Sequence, residues 1–233
     1  MNPVIRSSKS FLVWPLVLAA LLFLAFACGS DEEEPTTTTS STPSATRATA
    51  SPQGTAPPTE TNCPASSGVP PEVQVKSYTQ RPELTIDVSH QFLAHVYTTR
   101  GHFIIELLPQ IAPEHVNSFV FLARDKFYNG TVFHRIVPGF VAQGGDPTGT
   151  GSGGPGYSVP LEPSNESFVR GVVGMARAND PDSAGSQWYV TLGDAPHLDG
   201  QYTVFGKVTE GMEFVDCLEV GDAIVDLSIE ERS

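Results

Sequence analysis

Basic side chains are scarce in this chain of 233 residues, which has 13 lysines and arginines against 26 aspartates and glutamates. Residues 1–27 contain Arg6 and Lys9 but no acidic residue, so the rest of the chain is more acidic still. Proteins bind nucleic acids and anionic lipid surfaces largely through the charges of lysine and arginine. The composition therefore argues against a nucleic-acid partner and against membrane binding by charge alone.

Three further kinds of site lack their sequence patterns. The six histidines stand singly, without the close spacing of metal ligands. Ser186 lies in Gly-Ser-Gln and lacks the second glycine of a nucleophile elbow. Pro155 follows the glycine-rich residues 149–154, so no helix begins there to bind a pyrophosphate. We therefore expect no metal, no cofactor and no acyl-transfer triad.

The N-terminal segment has a basic start and then an uncharged apolar run over residues 11–27, which is typical of an export signal. The end of this run, LAFACG at residues 24–29, resembles a bacterial lipobox, and this resemblance implies that Cys28 is lipidated and becomes the first mature residue. The run also approaches the length of a spanning helix, so an uncleaved anchor is the alternative. Both interpretations predict an extracytoplasmic domain that is anchored to the cell membrane.

The composition changes after Cys28. Residues 28–84 include four consecutive acidic residues and then a mixture of serine, threonine, proline and alanine, which is too poor in apolar surface to form a core. We predict a disordered tether over residues 28–84 and one folded domain over residues 85–233. Cys63 and Cys217 could form a disulfide in an exported protein. The favoured interpretation is that the two cysteines do not pair, with a free thiol at Cys63 and a small buried thiol at Cys217.

Residues 133–146, with the sequence FHRIVPGFVAQGGD, are the strongest candidate for chemistry, because they place Arg135 among apolar residues ahead of a glycine-rich loop. Arginine is always charged and donates up to five hydrogen bonds from a planar group, which suits it to hold a carbonyl or an amide. The alternative is a structural arginine that lies over an aromatic ring or pairs with Asp146 or Glu162.

The same stretch resembles the signature of the cyclophilin-type peptidyl-prolyl cis-trans isomerases. The resemblance covers about residues 91–231 and is closest to the compact bacterial members. It continues at Ala176 and in three short motifs, at residues 185–187, 198–200 and 204–208. It implies an enzyme that accelerates rotation about X–Pro bonds in polypeptides and needs no cofactor.

Hydrophobic patterns in this region predict eight strands and two helices. After Pro113, the apolar residues Val116, Phe119, Val120 and Ala123 recur at helical spacing. A second, short helix is predicted over residues 212–218. The β-rich runs are residues 93–98, 102–108, 131–137, 140–143, 169–176, 187–192, 202–208 and 223–229. Closure of an antiparallel sheet would remove its edges.

The resemblance implies the same mainly β fold, a closed eight-stranded antiparallel barrel capped by two helices. We expect residues 73–87 to pack outside this barrel. A closed barrel on a flexible tether gives no reason to expect a dimer, so we predict a monomer.

The resemblance also implies the site. Its catalytic residues are Arg135, Phe140 and Gln143, and Arg135 would donate a hydrogen bond toward the rotating amide while an apolar pocket holds the proline ring. The substrate-binding positions are Val141, Gly151, Ala176, Arg177, Ala178, Gln187, Tyr189, His197, Leu198 and Tyr202.

Four of these positions depart from the eukaryotic pattern. Arg177 replaces asparagine, Tyr189 replaces phenylalanine, His197 replaces tryptophan and Tyr202 replaces histidine. We expect catalysis to survive these changes. We expect cyclosporin to bind weakly, because the resemblance assigns the tryptophan indole to that inhibitor.

The sequence therefore predicts a peptidyl-prolyl isomerase that acts on proline-containing segments of exported or cell-surface proteins and assists their folding. The alternative is a membrane-tethered module that binds proline-containing peptides, or a chaperone, with little turnover. A surface adhesion protein is a third possibility, which rests on the long tether alone.

Overall fold

A computed structural model describes residues 63–233 of the chain. The predicted signal, the lipidation of Cys28 and the first part of the predicted tether lie outside the described residues. No helix within residues 63–233 is long and apolar enough to cross a membrane.

The described residues form eight strands and two helices, as predicted, together with one short 3₁₀ helix that the sequence did not indicate. In chain order these elements are β1 (Gln91–Thr98), β2 (Gly101–Leu107), α1 (Pro113–Arg124), β3 (Arg135–Val137), β4 (Val141–Gly144), β5 (Val172–Met175), β6 (Trp188–Thr191), the 3₁₀ helix (Pro196–Leu198), β7 (Val204–Glu210), α2 (Met212–Asp216) and β8 (Ile224–Arg232).

The strands form a single antiparallel sheet with the order β3-β4-β6-β5-β7-β2-β1-β8. The two edge strands, β3 and β8, do not pair with each other. Instead, residues 130–133 exchange backbone hydrogen bonds with residues 221–224, including the bond from Phe133 N to Asp222 O at 2.8 Å. The sheet is therefore strongly curled, a half-barrel, and the predicted closure is overstated. Residues 131–133 take part in these irregular bonds, so the predicted strand at residues 131–137 is a regular strand only over β3.

Helix α1 lies where the apolar spacing predicts it. Val116, Phe119, Val120 and Ala123 are all buried, and Pro113 occupies the first turn. No side chain next to the helix start caps its free N–H groups. Glu162, from a distant loop, accepts hydrogen bonds from the backbone N–H groups of Glu114 and His115 at 3.0 and 2.9 Å. This contact ties the loop that contains Glu162 to the helix.

The buried apolar residues form two clusters. The larger cluster packs α1 and α2 against the sheet and contains Phe92, Phe119, Trp188 and Phe205 among its largest members. The smaller cluster is built around Val141, Phe168, Tyr189, Ala195, Leu198 and Val204, with Phe140 and Tyr202 packed against it. The residues expected to hold a proline ring therefore belong to a cluster of their own.

Residues 63–90, here called the arm, lie along the outside of the sheet and α1. Tyr78 packs edge-to-face on Phe121, and its hydroxyl donates to Asp125 Oδ2 at 2.6 Å. Ser67 N donates to Thr99 O at 2.7 Å. The prediction that residues 73–87 pack outside the sheet is confirmed. Residues 63–84, which composition assigned to the tether, make specific contacts with the domain. The packed part of the chain therefore begins before the predicted boundary at residue 85.

A disulfide joins Cys63 of the arm to Cys217 at the end of α2. The favoured expectation of two separate thiols is therefore wrong. The path of the arm explains the difference, because Arg100 Nη1 donates to Pro64 O at 3.3 Å and holds the start of the arm near α2. The bond spans 154 positions of the sequence, which no local pattern reveals.

Candidate active site

A tight turn brings the two key polar residues together. Pro138 and Gly139 occupy its centre, Gly139 has a φ of 70°, and Phe140 N donates to Val137 O at 2.9 Å. Proline followed by a glycine of positive φ is the pattern of a type II turn. The chain returns as β4, in a register that places Arg135 opposite Gln143.

The guanidinium of Arg135 is largely uncommitted. Its Nη1 lies 3.4 Å from Gln143 Oε1, and its Cζ lies 5.8 Å from the centre of the Phe140 ring. The proposed structural pairings are absent from residues 63–233, because Asp146 and Glu162 bind other groups. Arg135 lines the cavity described next, and most of its guanidinium N–H groups have no hydrogen-bond partner among the described residues, so they can donate to a ligand.

A cavity of about 180 Å³ opens beside Arg135. Val141, Tyr189 and Leu198 form its apolar wall and are at most 7% exposed. This volume is small for a drug-sized ligand and suits a single side chain. The cavity is lined by nine of the predicted residues: Arg135, Phe140, Val141, Gln143, Ala176, Arg177, Tyr189, Leu198 and Tyr202.

The hydroxyl of Tyr189 is buried without a hydrogen-bond partner among the described residues. Burial raises the pKa of this hydroxyl far above its usual value. The ring fits because Gly174, directly opposite on β5, has no side chain, and a Cβ there would lie 2.5 Å from the Tyr189 oxygen. Tyr189 therefore gives the cavity an aromatic wall, but its hydroxyl is left without a hydrogen bond among the described residues.

A second cavity, of about 700 Å³, adjoins the first and shares Gln143, Ala176 and Arg177 with it. Three other predicted residues, Gly151, Ala178 and Gln187, line this second cavity. A polypeptide with one side chain in the small cavity could therefore place a neighbouring residue in the larger one.

A chain of side-chain hydrogen bonds connects the two cavities. Gln143 Nε2 donates to Gln187 Oε1 at 3.0 Å, and Gln187 Nε2 donates to the carbonyl oxygens of Gly151 and Gly153 at 3.0 and 2.9 Å. Because Gln143 also contacts Arg135, the position of the arginine is coupled to the glycine-rich loop.

The carboxylate of Asp146 fixes that loop from beneath. It accepts hydrogen bonds from the backbone N–H groups of Thr148, Gly151 and Gly153. Burial alone would raise the pKa of Asp146, but these hydrogen bonds outweigh it and the pKa lies below its ordinary value. Hydrogen bonds within the domain therefore stabilise this conformation of the loop.

His197 is the one predicted position in the described domain that lines neither cavity. It lies exposed on the 3₁₀ helix, with its ring centre 5.3 Å from that of Phe140. Ser77 of the arm, which the sequence did not indicate, lines the larger cavity, and Tyr78 N donates to Pro155 O at 2.8 Å. No local pattern marks Ser77, because its position depends on the path of the arm.

The site thus combines an apolar cavity for one side chain, an uncommitted guanidinium at its edge and a groove for adjacent residues. Among residues 63–233, no three histidine, cysteine, aspartate or glutamate side chains lie close enough together to bind a metal ion. The sequence model of the family described as "Cyclophilin type peptidyl-prolyl cis-trans isomerase/CLD" matches residues 93–230. The chain belongs to the cyclophilin family.

Relatives of this cyclophilin agree with the family match. It is 42% identical to a peptidyl-prolyl cis-trans isomerase of Helicobacter pylori, over 64% of this chain and 92% of the relative. It is 45% identical to peptidyl-prolyl cis-trans isomerase B of Bacillus subtilis, over 56% of this chain and 97% of the relative.

A solved structure gives the same result for the fold. A cyclophilin type peptidyl-prolyl cis-trans isomerase of Cryptosporidium parvum superimposes with a TM-score of 0.57 and 29% identity, over 61% of this chain and 99% of that chain. The predicted family, the mainly β fold and the enzyme class are confirmed. This cyclophilin is a peptidyl-prolyl cis-trans isomerase.

Proposed function

We propose that Arg135, Phe140 and Gln143 carry the isomerisation and that the cavity of about 180 Å³ holds the proline ring of the substrate. Rotation about an X–Pro bond is slow because amide resonance must be broken, with a barrier of about 20 kcal/mol, and no covalent bond changes. A catalyst must therefore favour the twisted amide, whose nitrogen gains a lone pair, and needs no nucleophile.

The uncommitted guanidinium of Arg135 is the observation that supports this assignment. From the edge of the cavity it can donate a hydrogen bond toward the amide of a proline held there. A preorganised donor in a shielded site contributes about 2.7 to 4 kcal/mol, or 10² to 10³ in rate. Gln143 orients the arginine, and the larger cavity holds the flanking residues while the other side of the bond turns.

Affinity and turnover can be measured together to test these roles. We expect Arg135→Ala to lower the cis-trans exchange rate of a short Ala-Pro peptide by about 10² to 10³ while its affinity changes much less. Arg135→Lys retains the charge but loses the planar group and is expected to recover only part of the rate. Equal losses of affinity and rate would instead favour a module that binds proline-containing segments.

We propose further that this isomerase acts outside the cytoplasmic membrane, anchored to it, and assists the folding of exported or cell-surface proteins. The disulfide between Cys63 and Cys217 supports this location, since disulfides persist mainly in oxidising compartments. The apolar run at residues 11–27 and the lipobox-like Cys28 support it independently.

Fractionation of cells that express the full chain tests the location. We expect the wild-type protein in the membrane fraction, with lipid on Cys28 and without residues 1–27, whereas Cys28→Ala should carry no lipid. A wild-type protein that retains residues 1–27 and carries no lipid would favour the uncleaved anchor. A soluble cytoplasmic wild-type protein would contradict the proposal.

A further inference from the structure

The groove differs in charge from the rest of the domain. Residues 63–233 contain ten lysines and arginines, and eight of these lie within 4 Å of a carboxylate oxygen. The two that form no such pair in this part of the chain are Arg135 and Arg177. Both line the cavity proposed to hold the proline ring.

Arg177 also lines the larger cavity, where it is the only charged side chain among the lining residues of the described domain. No aspartate or glutamate of residues 63–233 lines either cavity, although this part of the chain has 21 acidic residues. The substrate groove is therefore a positively charged region on an acidic protein.

The guanidinium of Arg177 is held in place by backbone carbonyls and an aromatic ring. Its Nη1 donates to Ala178 O at 2.9 Å and to Asn179 O at 3.4 Å, and its Nε and Nη2 donate to Gln201 O at 3.3 and 3.1 Å. Its Cζ lies 4.4 Å from the centre of the Tyr202 ring. These contacts leave one Nη2–H free and hold the charge in a fixed position.

Two acidic residues near Arg177 in the sequence, and Asp146 at the glycine-rich loop, form hydrogen bonds with backbone N–H groups instead. Asp182 Oδ1 accepts a hydrogen bond from Leu161 N at 3.0 Å, and Asp180 Oδ1 accepts one from Asp182 N at 3.0 Å. Asp146, below the glycine-rich loop, is 1% exposed and bonds the loop backbone. The positive charge of Arg177 therefore has no carboxylate partner within the described domain.

We propose that Arg177 selects prolyl segments that carry a carboxylate on a residue next to the proline. The selection rests on the proposed function, because a proline ring in the small cavity places its neighbours beside Arg177. An acidic side chain would meet the free N–H and the fixed charge, whereas a basic side chain would be repelled. The substrate class is thus acid-flanked X–Pro segments, and Arg177 is a specificity-determining residue.

Matched peptides test this selection in the full chain. The peptides carry Glu, Gln or Lys either just before the proline or one residue further away, and the cis-trans exchange rate and the affinity are measured by NMR in the same titrations. For wild type we expect kcat/KM to favour Glu over Gln by about two- to five-fold at one of these positions, mainly through KM. The ratio should fall toward one in 0.5 M salt.

Two substitutions of Arg177 separate the effect of its positive charge from the effect of its hydrogen bonds to backbone carbonyls. Arg177→Gln should reduce the Glu to Gln ratio to one, and Arg177→Lys should retain most of it. Arg232→Gln is the control, because it also removes one positive charge, but Arg232 lines neither cavity and pairs with Glu230 on β8. It should leave the ratio unchanged.

Equal rates for Glu and Gln peptides in wild type at both positions, or a ratio that survives Arg177→Gln, would overturn the selection. Failure of the proposed function has a different signature, since Arg135→Ala would then retain the wild-type exchange rate with every peptide. The affinities measured in the same titrations would still report the selection. If Arg177→Gln does not fold, the Glu to Gln ratio of wild type is compared at low salt and in 0.5 M salt. A ratio that does not fall at high salt would overturn the selection.

Discussion

Gln143 links two other side chains, because its Oε1 lies 3.4 Å from Arg135 Nη1 while its Nε2 donates to Gln187 Oε1 at 3.0 Å. The amide group can serve both neighbours at once since it carries an acceptor and a donor. The orientation of the arginine therefore depends on Gln143, and through Gln187 on the loop that contains Gly151.

Gln143→Leu should lower kcat/KM by about tenfold, which corresponds to one lost hydrogen bond to a charged group. The physical reason is a mispositioned Arg135, so the same substitution should have a smaller effect in an Arg135→Ala background. Exchange spectroscopy on an Ala-Pro peptide with the two single variants and the double variant measures this coupling. Strictly additive losses would show that Gln143 acts without Arg135.

Tyr189→Phe should stabilise the domain. The hydroxyl is buried without a partner in the described part of the chain, so its removal relieves a desolvation cost of about 1 kcal/mol. Tyr157→Phe is the matched control, since the Tyr157 hydroxyl lies 2.9 Å from Ser118 Oγ and its removal should destabilise by a similar amount. Urea unfolding of both variants measures the difference, and a destabilised Tyr189→Phe would mean that this hydroxyl has a partner.

The hydrogen bonds of Glu162 predict a dependence of stability on pH. Burial alone would raise the pKa of Glu162, but bonds from His115 and from the N–H groups at the start of α1 bring it below the ordinary value of 4.5. The unfolded chain therefore takes up this proton first as the pH falls. The contribution of the group is fully present above about pH 4.5 and is lost as the pH falls through the lower, folded-state pKa.

Glu162→Gln should lower the free energy of unfolding by about 1 to 2 kcal/mol at pH 7, and the difference from wild type should shrink below about pH 4.5. Glu166→Gln, on the same loop but exposed, should have little effect at either pH. Denaturant unfolding at a series of pH values gives both comparisons. A difference that stays constant down to pH 3 would show that the carboxylate charge does not matter.

Reduction of the Cys63–Cys217 disulfide should lower the free energy of unfolding by about 2 to 4 kcal/mol, because the bond closes a long loop in the unfolded chain. Cys63→Ser should show the same loss without reductant. The decisive comparison is the effect of dithiothreitol on each protein, which should be large for wild type and absent for the variant. An unchanged wild-type midpoint in reductant would contradict a stabilising role for the bond.

The parts of the structure that the sequence predicts well are those with a local signal. Apolar residues at helical spacing placed α1, and the β-rich runs at residues 131–137 and 140–143 indicated the two strands whose pairing sets Arg135 opposite Gln143. The family resemblance added the more distant pieces of the site, and nine of its positions line one cavity.

The parts that it missed depend on contacts between distant residues. Ser77 reaches the larger cavity, and Cys63 reaches Cys217, only because the arm follows a particular path over the domain. Composition alone suggested a tether there, because the arm does not form a core of its own and packs instead on apolar residues of the domain such as Phe121. The sheet is less closed than predicted because irregular backbone bonds replace strand pairing between its edges.

The most direct test of the account is a refolding assay in which the full chain is added to a protein whose folding is limited by a slow X–Pro isomerisation. We predict that wild type accelerates the slow phase and that Arg135→Ala, with its fold retained by circular dichroism, loses nearly all of this acceleration. No acceleration by folded wild type, or equal acceleration by the variant, would contradict the assignment of catalysis to Arg135 in this site.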